Sequence, residues 1–273
     1  MGDFSAEWLA LREPADRAAR SARLARAVAE RLPRDRGVRI IDLGTGAGSN
    51  LRYLAPFLGA DQQWHLFDRD RALLRVAGRR LPPDVRSIGA DVIDLASMDA
   101  VLACELLERA SLVTASALLD LVSARWIDTI ARACRAVSAP ALFALSYDGR
   151  IVCTPGDRDD ERIRELVNRH QRTDKGFGAA VGPAATDVAA ECFAQQGFAV
   201  ERERTDWVLD DSHRELQRHL IDGWANAAAE IAPAPAAAEI DAWRRRRLDH
   251  VAAGRSSLIV GHEDLAAWFK SPA

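Results

Sequence analysis

Apolar and polar residues alternate along the chain with two different periods, and these periods predict strands and helices in turn. Five runs rich in Val, Ile, Leu, Phe and Ala predict strands at 37–44, 62–68, 85–91, 110–116 and 140–147. Between these runs, apolar residues recur at helical spacing near 47–58, 70–80, 98–107 and 119–138. Strands that alternate with amphipathic helices form a parallel, doubly wound sheet. The first half of the chain therefore predicts an α/β fold.

The first of these strands is apolar almost throughout, because Val38, Ile40, Ile41 and Leu43 stand close together. A strand of this kind is typical of a sheet that is covered on both faces. We expect it to lie near the centre of the sheet.

A helical segment precedes the first strand. Pro14 stands at a plausible first helical position, and Leu24, Val28 and Leu32 follow at helical spacing. The pattern predicts one N-terminal helix within a helical cap that spans residues 1–36.

The regular alternation of predicted strands and helices ends after Tyr147. The segments 157–178 and 183–197 predict two helices, and 198–209 alternates as a strand. Two further helices are predicted at 212–232 and 236–254, joined by a Pro/Ala connector at 231–238, before a last strand at 255–263. The late strands thus bracket a helical insertion at about 210–253.

Together these elements predict a Rossmann-like, seven-stranded, mostly parallel sheet with helices on both faces. One domain of 273 residues is expected, since α/β domains of this size often remain single. It comprises the N-terminal cap, a cofactor-binding core at 37–150, and substrate-side helices and late strands at 151–273.

Composition narrows the choice of partners. The chain has 37 Lys and Arg against 40 Asp and Glu, a formal net charge of −3, so no overall charge attracts nucleic acid or an anionic membrane. We therefore expect a small-molecule substrate. The sequence does not decide between a monomer and a homodimer.

The 4 cysteines and the histidines suggest no structural metal or disulfide framework. The cysteines form no C-x-x-C pair, and the histidines have no zinc-ligand spacing. The charged N-terminus carries no apolar signal region, and no run approaches the roughly 20 apolar residues of a membrane span. We expect a soluble, cytoplasmic protein without a metal.

A glycine-rich turn, "DLGTGAG", follows the first strand from Asp42 to Gly48. Ligands of open parallel sheets bind at the carboxyl ends of strands, where this turn stands. The phosphate-binding pattern G-x-G-x-x-G fails here, because Ser49 occupies its last position. The carboxylate of Asp42 would repel a pyrophosphate and attract a cation. The turn therefore favours a positively charged ligand that approaches the backbone closely.

This acidic-x-G-x-G-x-G pattern resembles the first motif of the class I S-adenosylmethionine-dependent methyltransferases. Two further positions fit that resemblance, which covers about residues 37–150 by motif. Asp68 closes the second strand, where the family has an acidic residue for the ribose hydroxyls, and Asp91 with Val92 follows the third strand, where an aspartate reads the adenine amino group.

The resemblance implies S-adenosylmethionine as cofactor and S-adenosylhomocysteine as product. The residues that would hold the cofactor are Asp42, Gly44, Thr45, Gly46, Gly48, Asp68, Arg69, Asp91, Val92 and Ser116. The expected reaction is methyl transfer to an oxygen, nitrogen or carbon of a small molecule by in-line displacement.

Substrate contacts are expected beyond the fourth and fifth strands. The candidates are Asp120, Tyr147, Arg172, Lys175 and Phe177. His170 is the candidate general base, since in-line transfer needs a base only when the acceptor must lose a proton. Asp120 also suits a helix cap, and the 168–178 segment also suits the end of a charged helix whose cations complement the dipole.

Three other functions stay open at this point. An aminopropyltransferase would use decarboxylated S-adenosylmethionine at the same motif. A nicotinamide-dependent oxidoreductase would use a similar sheet, although Asp42 and Ser49 argue against it. A non-catalytic module would bind the cofactor for an interaction or regulatory role. The run "WRRRR" at Trp243–Arg247 predicts a solvated helix face, because acidic residues stand near it.

Overall fold

A computed structural model describes residues 5–34, 37–233 and 236–269. Within these ranges the chain forms one mixed sheet of eight strands, ordered β3-β2-β1-β4-β5-β8-β6 with β7 beside β8. The strands are β1 (Val38–Leu43), β2 (Gln62–Asp68), β3 (Val85–Val92), β4 (Leu112–Ser116), β5 (Ala141–Thr154), β6 (Phe198–Arg204), β7 (Trp207–Leu209) and β8 (Ser257–Phe269).

The helices alternate with the first strands and then follow one another in the second half. They are α1 (Ala6–Ala19), α2 (Ala22–Ala29), α3 (Ser49–Leu54), α4 (Arg71–Ala77), α5 (Ala100–Leu106), α6 (Ala124–Val137), α7 (Asp160–Gln171), α8 (Ala185–Gln195), α9 (Arg214–Ile231) and α10 (Ala237–Ala252).

Strand β1 lies inside the sheet, as its apolar sequence predicts. It pairs in parallel with β2 on one side and with β4 on the other. Strand order reverses between these two neighbours, and a crevice opens at such a point at the carboxyl ends of the strands. Strand β8 runs antiparallel to β5 and β6, which makes the sheet mostly parallel.

Apolar residues cover both faces of the sheet. One core packs α5, α6 and α8 against the strands, with Trp126 and Phe143 buried in it. A second core packs α2, α3 and α4 on the other side, around Ile40 and Trp64. A third joins α7, α9 and α10 to the late strands. The α/β class with helices on both faces is confirmed.

The strand count differs from the predicted seven because the segment 198–209 forms two strands. Both keep one register along β8, with Arg204 opposite Glu263 and Trp207 opposite Val260. Between them, the His262 N–H of β8 donates to the Asp206 carboxylate at 3.3 Å, and the same carboxylate pairs with Arg150 at 2.5 Å.

The N-terminal segment also differs from the prediction, because it forms two helices and Pro14 lies inside the first. Ser5 begins α1 by accepting a hydrogen bond from the Trp8 N–H at 3.1 Å. Ser21 begins α2 in the same way, through the Leu24 N–H at 2.9 Å. Serine side chains satisfy the first free N–H groups of a helix, so they decide where these helices start. The predicted cap and connector extend into 1–4, 35–36 and 234–235, outside the described residues.

The helical insertion lies between β7 and β8 as predicted, but the arginine run within it is not wholly solvated. Arg247 is fully buried, and its guanidinium pairs with Asp160 at 2.5 Å. Trp243 is also buried and donates to the same carboxylate at 2.8 Å. A buried charge needs such a partner. None of the described helices is long and apolar enough to cross a membrane.

Candidate functional site

A cavity opens at the carboxyl ends of β1, β2 and β4, where strand order reverses. The sheet side of its wall comes from 44–47, 49–50, 68–70, 93–96 and 116–118. The covering side comes from Leu9, Arg12 and Asp16 of α1, from Leu121, and from 175–177. Segments far apart in the sequence thus enclose one site.

The glycine turn presents its backbone to this cavity. Gly44 and Gly46 adopt φ values of +66° and +55°, which L side chains rarely adopt. The N–H groups of Gly44 and Thr45 both donate to the Phe67 carbonyl, at 2.8 and 3.0 Å. These bonds fasten the turn to the end of β2, so the ligand-facing backbone is held in place.

Asp68 joins the turn to the cavity. Its Oδ2 accepts the Gly46 N–H at 2.8 Å, and its Oδ1 accepts the Asp70 N–H at 2.9 Å. Each carboxylate oxygen keeps a further lone pair. The side chain is therefore oriented by backbone donors and can still accept from ligand hydroxyls.

Asp42 lies behind the turn and does not line the cavity. Burial raises the pKa of its carboxyl to about 7. Its Oδ1 accepts from Asn50 Nδ2 at 2.5 Å, whereas Oδ2 has no hydrogen-bond partner in the described part of the chain. Asn50 lines the cavity and also accepts from buried Arg20. A direct contact between Asp42 and a ligand ammonium, as the motif predicts, would have to pass Asn50.

Gly48 is also placed differently from the prediction, because it does not line the cavity. Its φ is +84°, and a Cβ there would lie 2.9 Å from the Ala77 Cβ. This glycine allows α3 and α4 to pack closely.

Asp91 and Val92 lie outside the cavity, and the residues that reach it are Ile93 and Asp94. The Asp91 carboxylate contacts Nε2 of His65, on the neighbouring strand β2, at 2.7 Å. Strand β3 continues to Val92, so the chain enters the cavity two residues later than expected. Asp94 is held there by accepting the Ala96 N–H at 3.0 Å.

Of the other candidates, Arg69 and Ser116 line the cavity, whereas Asp120 and Tyr147 do not. Asp120 is buried beneath the β4 end, where burial raises its carboxyl pKa to about 6. The Tyr147 hydroxyl donates to Asn168 Oδ1 at 2.8 Å. These two side chains lie below the site and not in it.

The loop after α7 brings Lys175 and Phe177 into the cavity wall, whereas His170, in the last turn of α7, and Arg172 lie outside it. His170 Nε2 contacts Glu230 at 2.9 Å. Arg172 is exposed, and its contact with the Asn168 carbonyl is 3.4 Å long.

Helix α1 contributes three wall residues that no sequence motif indicated. Arg12 pairs with Asp16 at 3.0 Å, and Trp207 donates to the same carboxylate at 3.1 Å. Glu13 of the same helix binds Arg52 through two contacts of 2.7 Å. The i, i+4 spacing of Arg12 and Asp16 was visible in the sequence, but its meaning depended on where α1 packs.

The cavity wall carries charges of both signs. Asp68, Asp70 and Asp94 line it after β2 and β3, and Lys175 lines it with Phe177 from the loop after α7. Such a site can accept hydrogen bonds from a polyhydroxylated group at its carboxylates and offers a cation to a second group at Lys175. Among the described residues, no group of three or more His, Cys, Asp or Glu side chains is arranged to hold a metal ion.

No protein-family model matches the chain. Among curated proteins, it is similar to the uncharacterized protein YkkB of Bacillus subtilis strain 168, with 30% identity over 90 residues. The match covers 32% of this chain and 52% of YkkB, so the chain spans about half the length of that relative.

Among solved structures, the chain is similar to a cyclopropane-fatty-acyl-phospholipid synthase-like protein from Lactobacillus casei ATCC 334. The TM-score is 0.53 at 13% identity, over 97% of this chain and 94% of the other. Phosphoethanolamine N-methyltransferase 2 of Haemonchus contortus matches at 18% identity, with a TM-score of 0.43, over 92% of this chain and 53% of its own. The likeness to the synthase-like protein shows the fold, and the predicted α/β fold with a mostly parallel sheet is confirmed.

Proposed function

We propose that this chain is an S-adenosylmethionine-dependent methyltransferase that acts on a small-molecule acceptor. One observation carries the proposal: the Asp68 carboxylate is fixed by the Gly46 N–H at 2.8 Å and faces a cavity at the switch point of a methyltransferase-like sheet. A carboxylate beside a glycine turn that a ligand can approach closely suits the adenosyl group of this cofactor.

The cofactor's adenosyl part belongs, on this proposal, beside the carboxylates of Asp68 and Asp94. Asp68 accepts from the ribose hydroxyls, and Ile93 and Asp94 meet the adenine in place of the predicted Asp91 and Val92. The bare backbone of Gly44 and Gly46 leaves room for the methionyl part, with Asn50 at its side. Asp42 acts on the ligand through Asn50, whose amide it orients.

When bound, S-adenosylmethionine supplies an electrophilic methyl group, and the chain's task is to align the acceptor and exclude water. Leu9 and Arg12 of α1 cover the glycine turn, and Phe177 closes the cavity from the other side. Phe177 is held by an edge contact with Trp126, with ring centroids 6.1 Å apart. Two coverings from separate segments leave a space suited to a small acceptor.

Calorimetry tests the proposal directly. We expect S-adenosylmethionine and S-adenosylhomocysteine to bind the folded protein, and Asp68→Asn to weaken both. Stronger binding of decarboxylated S-adenosylmethionine would favour an aminopropyltransferase, and binding of NADH instead would favour an oxidoreductase. Absence of binding by S-adenosylmethionine and S-adenosylhomocysteine to folded protein would overturn the proposal.

Catalysis needs a separate test. A metabolite extract incubated with the protein and methyl-labelled cofactor should yield labelled small molecules. Tight cofactor binding without any labelled product would favour the non-catalytic module.

A further inference from the structure

Lys175 brings a cation into the wall of the cavity without a carboxylate to neutralise it. No Asp or Glu oxygen of the described residues lies within 4.0 Å of its Nζ. Its short contacts are with the Thr173 hydroxyl at 3.0 Å and with the His170 ring, 3.3 Å from Nδ1 and 3.5 Å from Nε2. The charge is therefore positioned but unpaired.

The two distances to His170 show how the ammonium is held. A nitrogen almost equally far from both ring nitrogens cannot be in line with the lone pair of either one. Nζ of Lys175 thus packs against the ring and makes no well-aligned hydrogen bond to it. The ring is fixed from its other side by Glu230, 2.9 Å from Nε2. His170 serves as a platform for Lys175.

Hydrogen bonds fix the conformation of the loop that carries Lys175. The Asp174 Oδ1 accepts the N–H groups of Gly176 and Gly178, at 2.7 and 3.0 Å. Farther along, the Val181 N–H donates to the Val122 carbonyl at 2.9 Å, which ties the loop to the segment after β4. These bonds hold Lys175 and Phe177 in the cavity wall.

Arg12, another cation of the wall, is different because its guanidinium makes a bidentate contact with Asp16, from Nε and Nη2 at 3.0 and 3.1 Å. Burial lowers the pKa of the Lys175 amine, whereas Glu230 raises it from a greater distance. An anion at Nζ would offset the effect of burial by favouring the charged form. Lys175 is thus the better placed of these two cations to accept an external anion.

We propose that Lys175 binds an anionic group of the methyl acceptor, a carboxylate or a phosphate, and that His170 positions Lys175 and is not the general base. The inference rests on the proposed function and adds the acceptor's chemical class. The acceptor would carry its anion near Lys175 and an apolar or aromatic part near Phe177, Leu118 and Leu121.

The first experiment separates this inference from the proposed function. S-adenosylhomocysteine binding is measured by calorimetry for the wild type, Lys175→Met and the charge-conserving Lys175→Arg. We expect all three affinities to agree within twofold. A tenfold loss in Lys175→Met alone would mean that Lys175 serves the cofactor's own carboxylate, which overturns the inference. Failure of the wild type to bind would instead remove the proposed function.

The second experiment tests whether the enzyme prefers an anionic acceptor to a neutral one. Labelled methyl transfer is measured with two panels of acceptors. The first contains hydroxy acids and amino acids, each compared with its neutral carboxamide. The second contains phosphomonoesters, each compared with its parent alcohol. We expect at least one anion to exceed its neutral counterpart tenfold in kcat/KM, and the acid and phosphate arms to show which anion is used. Lys175→Met should reduce that preference below threefold, and Lys175→Arg should keep it. A panel in which no anion is preferred, or a preference that survives Lys175→Met, contradicts the inference.

The role of His170 is tested with two variants of the same position. His170→Phe keeps a flat ring under Lys175 but cannot exchange a proton, whereas His170→Ala removes the ring. If His170 only supports Lys175, His170→Phe should keep kcat and its pH profile. His170→Ala should raise KM for the anionic acceptor, with kcat little changed. A large fall of kcat in His170→Phe, with KM unchanged, would restore His170 as the base.

Discussion

Asp68 Oδ2 accepts the backbone N–H of Gly46 at 2.8 Å, so the end of β2 holds the glycine turn that follows β1. The same carboxylate lines the cavity. One side chain thus fixes the shape of the turn and offers the negative charge that a ligand meets there.

Replacement of this charge should weaken cofactor binding. Hydrogen bonds to a charged group contribute about 1.5–3 kcal/mol, and about 1.4 kcal/mol corresponds to a tenfold change in affinity. We therefore expect Asp68→Asn to bind S-adenosylhomocysteine at least tenfold more weakly by calorimetry. The control is Asp91→Asn, which alters a carboxylate outside the cavity and should stay within twofold of the wild type. Equal losses in the two variants would contradict this assignment.

We expect Asp94 to contribute to cofactor binding, whereas Asp99, which caps a helix in a comparable way, should not. Asp94 accepts the Ala96 N–H at 3.0 Å, and Asp99 likewise accepts the Leu102 N–H at 2.9 Å. Loss of such a cap costs about 0.5–2 kcal/mol of stability. Asp94→Ala and Asp99→Ala should thus unfold at similarly lowered urea concentrations.

Of these two cap variants, Asp94→Ala alone should bind S-adenosylhomocysteine more weakly, by at least threefold. Asp94 lines the cavity and Asp99 does not. Unchanged affinity in Asp94→Ala would argue that the adenine lies elsewhere.

Gly46 and Gly59 offer a second matched pair. Both have positive φ, +55° and +77°, so alanine at either position costs roughly 1–2 kcal/mol of backbone strain. A Cβ on Gly46 would lie 3.2 Å from Leu9 Cδ1, between the turn and α1, whereas one on Gly59 would meet nothing within 4 Å.

We expect both glycine variants to lose similar stability in thermal unfolding, and only Gly46→Ala to lose cofactor affinity, by threefold or more. If Gly59→Ala lost as much affinity, the effect would come from general destabilisation and not from the turn.

The buried carboxyl of Asp42 should make stability depend on pH. Burial raises its pKa from 3.8 to about 7 in the folded chain, although Asn50, Thr45 and Arg20 oppose the rise. A carboxyl with a raised folded pKa stabilises the fold fully below its unfolded value and loses that contribution as the pH rises through the folded value.

The wild type should therefore lose stability relative to Asp42→Asn between about pH 4 and pH 7, and the difference should be constant above pH 7. The change should exceed about 1 kcal/mol, since one pKa unit is worth about that much or slightly more. Urea unfolding of both proteins at intervals of one pH unit measures it. Parallel stability curves would show that Asp42 is already ionised in the folded chain.

The candidate residues that lie together at the cavity are those whose positions depend on short-range geometry. The turn follows β1 directly, and Asp68 ends the next strand, so strand length and parallel pairing bring Gly46 and Asp68 together. Asp91 depended on the end of β3, and a strand that continues to Val92 moved Ile93 and Asp94 into the cavity instead.

The covering residues were harder to predict because long-range packing places them. Leu9 reaches Gly46 only because α1 lies across the turn, and no local pattern records that contact. The sequence groups charged and aromatic residues within the 168–178 segment. The backbone hydrogen bonds to Asp174, which the sequence alone does not show, decide that Lys175 and Phe177 face the cavity and Arg172 does not.

Helix α9 of the insertion contacts α1 directly and the 175–177 covering through His170. Near its start, His219 packs on Trp8 of α1 with ring centroids 5.8 Å apart, and near its end Glu230 holds His170. We expect this shared support to couple the opening of α1 to the opening of the 175–177 loop. Product release and cofactor exchange should then occur at the same rate. Hydrogen exchange should then slow together in 6–19 and 172–178 when S-adenosylhomocysteine is added, and separate responses would show that the coverings move independently.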